Sequence, residues 1–528
     1  MKTYQKHNSR YFIGALVTIL ISTVFAVTLQ FLKGDVLDYA LAGKMETTVK
    51  YASALILFIL CEVMFHFLYA RLTAKFVVGC TQELKRDVFV CILGRSYVSY
   101  RDHSQGEYLA KFTNEADTIK ECRFRMLPMF WEIFFKILFV SAALFILDWR
   151  IAMITIALLT TPLYIPKLIE KRLQNAQSEQ LSAIEQCLSK VNDWLSGFEI
   201  IKNFSVEQKI LKRFDAANDH AAEKMLHNAT LGAVAQLITT LISYLSYFIV
   251  LACSTWLVLK GEFSAGDFFI AIGMIDQLSY PLIMLANILR QLISIRPACA
   301  SMEKFIQEGK TGKEGSVLTG VKNTICYDHV SFAYPDQAPI LKDFTLTAEK
   351  GKRYLLKGPS GCGKTTAVNL LLRYYNTEKD CITVDGVPLS RYESTYGCMT
   401  VVRQEAVLFH DTLRNNLTMY SHIPDNRLIA ILDSLGLQKF ATQDALDQVV
   451  SENGSNLSGG EKKRICLARA LLRNTDVLIL DEPLANLDAP TASRIEDLLL
   501  GIEGKLLLVV SHQFTPEKLQ AFDAVVSM

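Results

Sequence analysis

The residues best suited to chemistry form a glycine-rich loop at 358–365, between a short predicted strand at 353–357 and a helix-like run at 366–375. The loop consists of Gly358, Pro359, Ser360, Gly361, Cys362, Gly363, Lys364 and Thr365. Glycines let successive backbone N–H groups turn inward around a polyphosphate, and the N-terminus of the following helix adds a favourable dipole. The order strand, loop, helix predicts a nucleotide phosphate site. We expect Lys364 to reach the β and γ phosphates, Thr365 to offer its hydroxyl to Mg²⁺, and Thr366 to join the nucleotide contacts.

Two carboxylates follow the apolar run at 477–480, which has the composition of a buried strand. With a phosphate loop upstream, Asp481 is predicted to hold Mg²⁺ through water. Glu482 is predicted to accept a proton from the water that attacks the γ-phosphate. The alternative is that the two acids merely end a strand.

A third motif places a hydroxyl and two glycines, Ser458, Gly459 and Gly460, at the start of a predicted helix. Exposed backbone N–H groups at a helix N-terminus bind anions. The chain has a phosphate loop elsewhere, so this second anion site has no ligand of its own within the same chain.

These three motifs together resemble those of ATP-binding cassette proteins, specifically the exporter-type half-transporter with fused transmembrane and nucleotide-binding domains. The resemblance covers essentially the whole chain. It implies that two cassettes face each other head to tail, with each ATP held between the phosphate loop of one and the signature helix of the other. Ser458, Gly459 and Gly460 would then serve the nucleotide of a second half-transporter, identical or related.

The same resemblance assigns further roles. Tyr334 matches the aromatic on which adenine stacks, with a core aromatic as the alternative. Gln404 matches the glutamine that senses Mg²⁺ and attacking water beside the membrane-domain arms, with a surface glutamine as the alternative. Asp488 matches the loop that crosses to the other cassette, and His512 matches the histidine at the γ-phosphate. The implied ligands are ATP and Mg²⁺, with Thr365, Gln404 and Asp481 at the metal.

The elements that must position these residues lie in a chain that is 51% hydrophobic and 20% charged, which indicates a membrane protein. Lys and Arg number 55 against 53 Asp and Glu, so no basic excess indicates nucleic acid. The 12 cysteines are scattered and predict neither a zinc site nor a disulfide framework. Apolar stretches long enough to cross a bilayer as helices lie at 11–32, 51–69, 126–147, 151–169, 231–259 and 268–293.

Within the membrane half, the N-terminus and the connections 70–125 and 170–230 carry most of the Lys and Arg, which predicts that they and both termini lie on the cytoplasmic side. The two connections contain little Gly or Pro, so we expect helical arms that project from the membrane and turn back near 100–108 and 194–204. In the family the tips of such arms are coupling helices, which would sit near Gln404 and 451–456. A solvated hairpin is the alternative.

The expected fold is multidomain. An all-α six-helix transmembrane domain at 1–306 and a linker at 307–323 precede an α/β P-loop nucleotide-binding domain at 324–528. The predicted function is ATP-driven outward movement of a hydrophobic, lipidic or peptide-like substrate across the cytoplasmic membrane. Import of a metal-chelator complex, or a nucleotide-gated channel or regulatory subunit, are the alternatives. Membrane lipids and a second half-transporter are the expected partners.

The predicted spans contain ionisable residues, which are costly in a bilayer. Glu62 and His66 lie four residues apart, as do Glu132 and Lys136, and Asp276 lies in the last span. Two interpretations remain open at this point: these groups line a polar pathway, or they form interhelical pairs or lie near an aqueous end of their helices.

Overall fold

The computed structural model describes residues 1–160, 165–309, 316–335, 338–359, 361–377, 380–485 and 487–528. The chain divides into two compact units. Unit 1 comprises Met1–Leu93 and Gln105–Gln307, and unit 2 comprises Gly94–Ser104 and Glu308–Met528. The domain boundaries expected from sequence remain a prediction. The short segment Gly94–Ser104, which overlaps the arm tip expected at 100–108, belongs to unit 2.

The described residues before Gly309 are mainly helical. Two π-helical stretches, Lys111–Glu115 and Lys120–Arg125, interrupt the α-helices. The α-helices are α1 (Lys2–His7), α2 (Ser9–Leu41), α3 (Met45–Gly94), α4 (Tyr97–Arg101), α5 (Gln105–Ala110), α6 (Ala116–Ile119), α7 (Met126–Leu147), α8 (Trp149–Thr160), α9 (Ile165–Ser196), α10 (Phe198–Asn203), α11 (Glu207–Leu259), α12 (Ala265–Ser294) and α13 (Arg296–Glu308).

Among the residues that the structure describes, five helical stretches are long and apolar enough to cross a membrane: Ser9–Leu41, Met45–Gly94, Gln105–Leu147, Glu207–Leu259 and Ala265–Glu308. Each contains one of the predicted spans. The remaining predicted span, 151–169, begins in α8 and ends in α9, and its residues 161–164 lie outside the described part of the chain.

The two longest helices are longer than a helix needs to be to cross a bilayer. Helix α3 has 50 residues and α11 has 53. At 1.5 Å per residue each is about 75–80 Å long, whereas a hydrocarbon layer of about 30 Å needs only about 20 residues. The helices are interrupted at both predicted tips. Residues 102–104 lie between α4 and α5, and Gly197 separates α9 from α10. Ser205, just after the second tip, has a positive φ of 52° and precedes α11.

Three of the ionisable groups in the predicted spans, Glu62, Glu132 and Lys136, have polar partners among the described residues. Lys136 Nζ lies 2.8 Å from Glu132 Oε1, one turn away on α7. Ser22 of α2 donates a hydrogen bond of 3.5 Å to Glu62 of α3. These contacts favour pairing for Glu62 and Glu132, because a partner reduces the cost of a charge in an apolar layer.

Unit 2 is built on a five-stranded parallel sheet in the order β11-β4-β10-β9-β8, beside a four-stranded antiparallel sheet in the order β3-β2-β5-β6. A short parallel pair, β1 and β7, completes the described strands. The bounds are β1 (Ser316–Val317), β2 (Thr324–Phe332), β3 (Leu341–Glu349), β4 (Arg353–Lys357), β5 (Ile382–Val384), β6 (Val387–Pro388), β7 (Tyr392–Ser394), β8 (Met399–Val402), β9 (Val477–Asp481), β10 (Leu506–Val510) and β11 (Ala524–Ser527).

The parallel sheet separates two hydrophobic cores. Every residue of β9 and β10 is buried. Side chains alternate between faces along a strand, so Val477 and Ile479 join one core while Leu478 and Leu480 join the other. Burial on both faces explains the uninterrupted apolar runs that mark these strands in the sequence.

Helices cover this sheet. They are α14 (Lys364–Leu371), α15 (Leu413–Thr418), α16 (Asp425–Ser434), α17 (Gln443–Leu446), α18 (Gly459–Leu472), α19 (Ala489–Leu500) and α20 (Pro516–Leu519), with 3-10 turns at Leu389–Arg391, Gln438–Phe440 and Glu452–Gly454. The expected helix 366–375 begins earlier and ends earlier. It stops at Leu371 because Arg373 adopts a left-handed φ of 54°, which breaks the helical hydrogen-bond pattern.

Candidate ATPase site

The glycine-rich loop joins β4 to α14, as the sequence predicts. Gly361 and Gly363 have φ of 85° and 103°, a region that favours glycine. A Cβ on Gly363 would lie 2.5 Å from Leu341 Cδ2. The loop therefore requires glycine at 363 for both conformation and space. Ser360, one of the predicted nucleotide contacts, lies outside the described residues.

Lys364, the first residue of α14, points its ammonium into the loop. Its Nζ donates hydrogen bonds to the carbonyl oxygens of Gly358 and Pro359, at 2.7 and 2.9 Å, and lies 3.7 Å from Cys362 Sγ. Loop carbonyls thus hold the cation in place. A polyphosphate cradled by the loop N–H groups would meet a cation that is already positioned.

Asp481 and Thr365 meet at the carboxyl edge of the parallel sheet. Strands β4 and β9 both pair with β10 in register, so their ends lie at one edge. Thr365 Oγ1 donates to Asp481 Oδ2 at 3.5 Å. Burial raises the pKa of Asp481, and the positive charge of Arg403 opposes that rise. A hydroxyl and a carboxylate are the hard oxygen donors that Mg²⁺ prefers, so this pair fits a magnesium site.

Glu482 and Gln404 form the adjacent part of the site. Gln404 Nε2 donates to Glu482 Oε2 at 3.5 Å. The backbone of Glu482 has a positive φ of 49°, and its N–H donates to the Val510 carbonyl at 2.8 Å. Strained backbone of this kind is common at functional sites. The structure therefore brings together Gln404, Glu482, Asp481 and Thr365, which are far apart in sequence.

Tyr334 and His512 flank these residues from two other elements. The Tyr334 hydroxyl lies 3.2 Å from Thr366 Oγ1, which links the predicted base platform to α14. His512 is exposed and follows β10 by two residues, at the edge where Val510 pairs with Asp481.

The remaining predicted residues cap helices. Ser458 begins α18 in a capping box: its Oγ accepts from Glu461 N–H at 3.3 Å, and Glu461 accepts from Ser458 N–H at 2.8 Å. Gly459 and Gly460 form the first turn of α18. Asp488 caps α19 through Thr491 N–H at 3.2 Å. Within the described residues, no hydrogen bond joins Ser458 or Asp488 to Lys364, Asp481 or Glu482.

Two cations near the acids were missed by the sequence analysis. Arg403 donates a 2.6 Å hydrogen bond to Asn369 of α14, and its guanidinium lies 5.2 Å from the Tyr374 ring centroid. Lys463 of α18 is buried, and its Nζ donates to the Ala485 carbonyl at 3.4 Å. The one available signal was a lysine on the buried face of an amphipathic helix.

Comparison with known proteins decides the family. A family model described as ABC transporter transmembrane region matches residues 11–282, and one described as ABC transporter matches residues 341–485. The first alone covers more than half of the chain. The chain belongs to the ABC transporter family. The predicted fold class, a helical transmembrane domain followed by an ABC ATPase domain, is confirmed.

Relatives of this ABC transporter match along most of their length. A putative multidrug export ATP-binding/permease protein, YgaD of Bacillus subtilis, is 26% identical over 98% of this chain and 92% of its own. An ATP-dependent lipid A-core flippase of Pseudoalteromonas translucida is 25% identical over 96% and 90%. An uncharacterized ABC transporter ATP-binding protein, YwjA of Bacillus subtilis, is 26% identical over 84% and 78%.

A solved structure of a bacterial Atm1-family ABC exporter with ATP bound shares the fold of this ABC transporter. Its TM-score is 0.80 at 21% identity, over 98% of this chain and 93% of that chain. The two family matches and this shared fold make the chain an ATP-hydrolysing ABC half-transporter with fused membrane and nucleotide-binding domains. Its apolar helices make it a multi-pass membrane protein.

Proposed function

We propose that this half-transporter uses ATP hydrolysis to move a hydrophobic, lipidic or peptide-like substrate outward across the cytoplasmic membrane. The observation that carries the proposal is the convergence of Thr365, Asp481, Glu482 and Gln404 beside the phosphate loop. The outward direction and the substrate class are supported by relatives whose names describe multidrug export and a lipid A-core flippase.

The proposed chemistry is phosphoryl transfer to water, in which positioning and charge stabilisation supply most of the rate. The loop 358–363 and Thr366 bind the phosphates, and Lys364 contacts the β and γ phosphates. Mg²⁺, held by Thr365, Gln404 and Asp481, would neutralise charge on the phosphates when bound. Glu482 accepts the proton of the attacking water, and its hydrogen bond from Gln404 orients it.

Tyr334 and His512 complete the proposed site. Tyr334 stacks on adenine, and its hydroxyl contact with Thr366 aligns the base with the phosphate loop. His512 contacts the γ-phosphate from the neighbouring strand.

A second chain is proposed to complete each site. Ser458, Gly459, Gly460 and Asp488 lie at the starts of α18 and α19 and are not bonded to the Lys364 and Glu482 group. We infer that they contact a nucleotide bound to the phosphate loop of a partner half-transporter, identical or related. Helix N-termini suit this role because their free N–H groups bind phosphate oxygens.

The proposed orientation places both termini and the ATPase domain in the cytoplasm. Lys and Arg are concentrated in 70–125 and 170–230, and short positively charged connections remain on the cytoplasmic side. The arm tips are proposed to transmit movement of the cassette to the membrane helices. In this proposal the arms have two arrangements, and ATP binding favours one of them.

Replacing Glu482 with Gln tests the catalytic assignment. The carboxamide keeps the size of the side chain but cannot accept the proton. We expect the Glu482→Gln protein, purified in lipid nanodiscs, to bind ATP normally and to lose at least about 100-fold in turnover. Glu503→Gln, an exposed acid, is the matched control. Hydrolysis at the parental rate in Glu482→Gln would refute the general-base role.

Inverted membrane vesicles test direction. Accumulation of a fluorescent amphipathic probe that requires ATP and Glu482 supports outward transport. ATP-dependent loss of preloaded probe would instead indicate import, and flux that needs no hydrolysis would indicate a channel.

A further inference from the structure

Tyr374 and Tyr375 follow the C-terminus of α14, the helix that begins at the phosphate loop. Helix α14 ends at Leu371, Arg373 turns the chain with its φ of 54°, and Tyr374 N–H donates to the Asn369 carbonyl at 2.9 Å. This backward bond closes the helix end in the manner of a Schellman motif. Tyr374 and Tyr375 are therefore fixed relative to the helix that begins with Lys364.

Tyr375 contacts the proposed base platform. Its ring meets the Tyr334 ring edge to face, with centroids 5.0 Å apart and planes at 85°. Phe332 packs against both rings, at 5.2 Å from Tyr334 and 5.9 Å from Tyr375. Burial raises the pKa of Tyr375, and the positive charge of Arg101 opposes that rise. Rings packed this closely have few alternative positions.

Tyr374 contacts the segment Gly94–Ser104. The rings of Tyr97 and Tyr374 are stacked, with centroids 3.8 Å apart and planes only 10° from parallel. Tyr97 also lies 6.5 Å from Tyr375, edge to face. Arg101 Nη1 donates to the Tyr97 hydroxyl at 3.4 Å, and its guanidinium lies 5.7 Å from that ring. Tyr97 is thus held by the stacked ring of Tyr374 and by the side chain of Arg101.

A cavity of about 900 Å³ lies beside these rings. Tyr334 and Pro335 line one part of it, Tyr375 and Asn376 another, and Ser96 and Val98 a third. The segment Gly94–Ser104 therefore shares a cavity with the residue proposed to stack on adenine. This segment joins α3 to α5, so it connects the cavity covalently to the helical part of the chain.

We propose that the segment Gly94–Ser104 responds to the base of the bound nucleotide through the rings of Tyr334, Tyr375, Tyr374 and Tyr97, here called the tyrosine bridge. Tyr97 is the positioning residue at its end. The inference rests on the proposed role of Tyr334 as the base platform. Adenine on Tyr334 restricts that ring, and close packing passes the restriction to Tyr375. Tyr97, which contacts both Tyr375 and Tyr374, carries it into the segment.

Arg403 makes a second contact with the Tyr374 ring, from the part of the site where the phosphates are proposed to bind. Arg403 lies over Tyr374 and bonds to Asn369 of α14, and it immediately precedes Gln404. Tyr374 thus lies between the base end of the site, through Tyr375, and the γ-phosphate end, through Arg403. This arrangement would let the segment distinguish a complete nucleotide from a bare polyphosphate.

Hydrogen–deuterium exchange on the full-length Glu482→Gln protein in nanodiscs tests the inference. The ligands are Mg-ATP and Mg-tripolyphosphate, which carries no base. We expect ATP to slow exchange in 94–104 about fivefold or more, the lower end of typical coupling between sites. Tripolyphosphate should protect the phosphate-loop peptide but leave 94–104 unchanged. Tyr97→Ala and Tyr374→Ala should abolish the response of 94–104, and Tyr97→Phe should retain it.

Protection of the peptide 361–371 separates two kinds of failure. If ATP does not protect that peptide, the proposed function itself is wrong. If ATP protects 361–371 but not 94–104, or tripolyphosphate protects 94–104 equally, the inference is overturned. It is also overturned if Tyr97→Ala responds like the parent. Tyr97→Leu, which retains bulk without a ring, replaces Tyr97→Ala if the latter does not fold, and Tyr420→Ala, an exposed tyrosine outside the bridge, is the control.

Discussion

Lys463 illustrates how one buried side chain sets the charge balance beside the acids. It is 5% exposed, and its Nζ donates a hydrogen bond to the carbonyl of Ala485, in the loop after Glu482. Burial lowers the pKa of Lys463, while the charges of Glu482 and Asp481 oppose that change. A buried cation is costly unless nearby charges and hydrogen bonds offset its desolvation. Here the acids and the carbonyl provide that compensation, so Lys463 ties α18 to the catalytic loop.

Replacing Lys463 with Met should impair catalysis more than binding. Methionine fills similar volume but removes the charge near Glu482 and the bond to Ala485. We expect turnover to fall about tenfold or more and the Kd for ATP to change less than about threefold, because the lost interactions act on the catalytic acid. Steady-state ATPase assays and ATP titrations measure the two effects. Lys462→Met, at the adjacent lysine, should leave both unchanged; an equal loss in the two variants would contradict the assignment.

At the scale of elements, a salt bridge and its hydrogen bonds connect the chain before β2 to the parallel sheet. Lys350 Nζ lies 2.7 Å from Asp476 Oδ1, and Asp476 Oδ2 accepts from Val321 N–H at 3.0 Å. Lys350 also donates to the Val321 carbonyl at 2.8 Å. The hydrogen bond from Lys350 lowers the pKa of Asp476, although burial opposes it. Asp476 directly precedes β9, so this bond helps to hold the strand that ends in the acid pair.

Asp476→Asn should lower the thermal stability of unit 2 at neutral pH. The pKa of Asp476 is lower in the folded chain than in the unfolded chain, so the unfolded chain binds a proton more readily. The stabilisation is therefore present above the ordinary Asp pKa of about 3.9 and is lost as pH falls below it. We expect a loss of about 1–2 kcal/mol at pH 7 that shrinks towards pH 3. Calorimetry of the full chain at several pH values measures this, with exposed Asp380→Asn as control. A constant difference at all pH values would exclude the ionic contribution.

At the scale of the whole molecule, the site residues fall into two groups, and no hydrogen bond joins the two groups within the described part of the chain. The phosphate loop, Asp481 and Glu482 form one group, and the helix starts at Ser458 and Asp488 form the other. A two-fold symmetric dimer would pair the first group of each chain with the second group of its partner. The association would therefore create two composite sites, and neither chain alone would hold a complete one.

Mixed dimers test whether two copies of this chain suffice. Lys364→Met removes the phosphate cation, and Ser458→Glu places a negative charge at the signature helix, so each variant alone should be inactive. In a mixed dimer the intact loop of one chain faces the intact helix of the other. Random pairing should then restore about a quarter of the parental sites. Co-expression with two affinity tags, followed by an ATPase assay, measures the recovery. No recovery in confirmed mixed dimers would contradict composite sites between copies.

The sequence alone determined the features whose residues are contiguous. The glycine-rich loop, the acids after β9 and the apolar membrane helices could be predicted because each depends on neighbouring residues or on local composition. The family resemblance rested on those same local motifs. The predicted C-terminus of α14 was wrong by a few residues. Arg373 adopts a left-handed φ, and nothing in this apolar and aromatic stretch of sequence indicates it.

Only the tertiary structure decided which distant residues meet. The stack of Tyr97 on Tyr374, the bond from Arg403 to Asn369 and the contact of Lys463 with Ala485 join separate elements. The assignment of Gly94–Ser104 to the second unit has the same origin. Such contacts depend on how helices and strands pack against one another, and side-chain packing is set by the shape of the complete fold, which no single segment of sequence specifies.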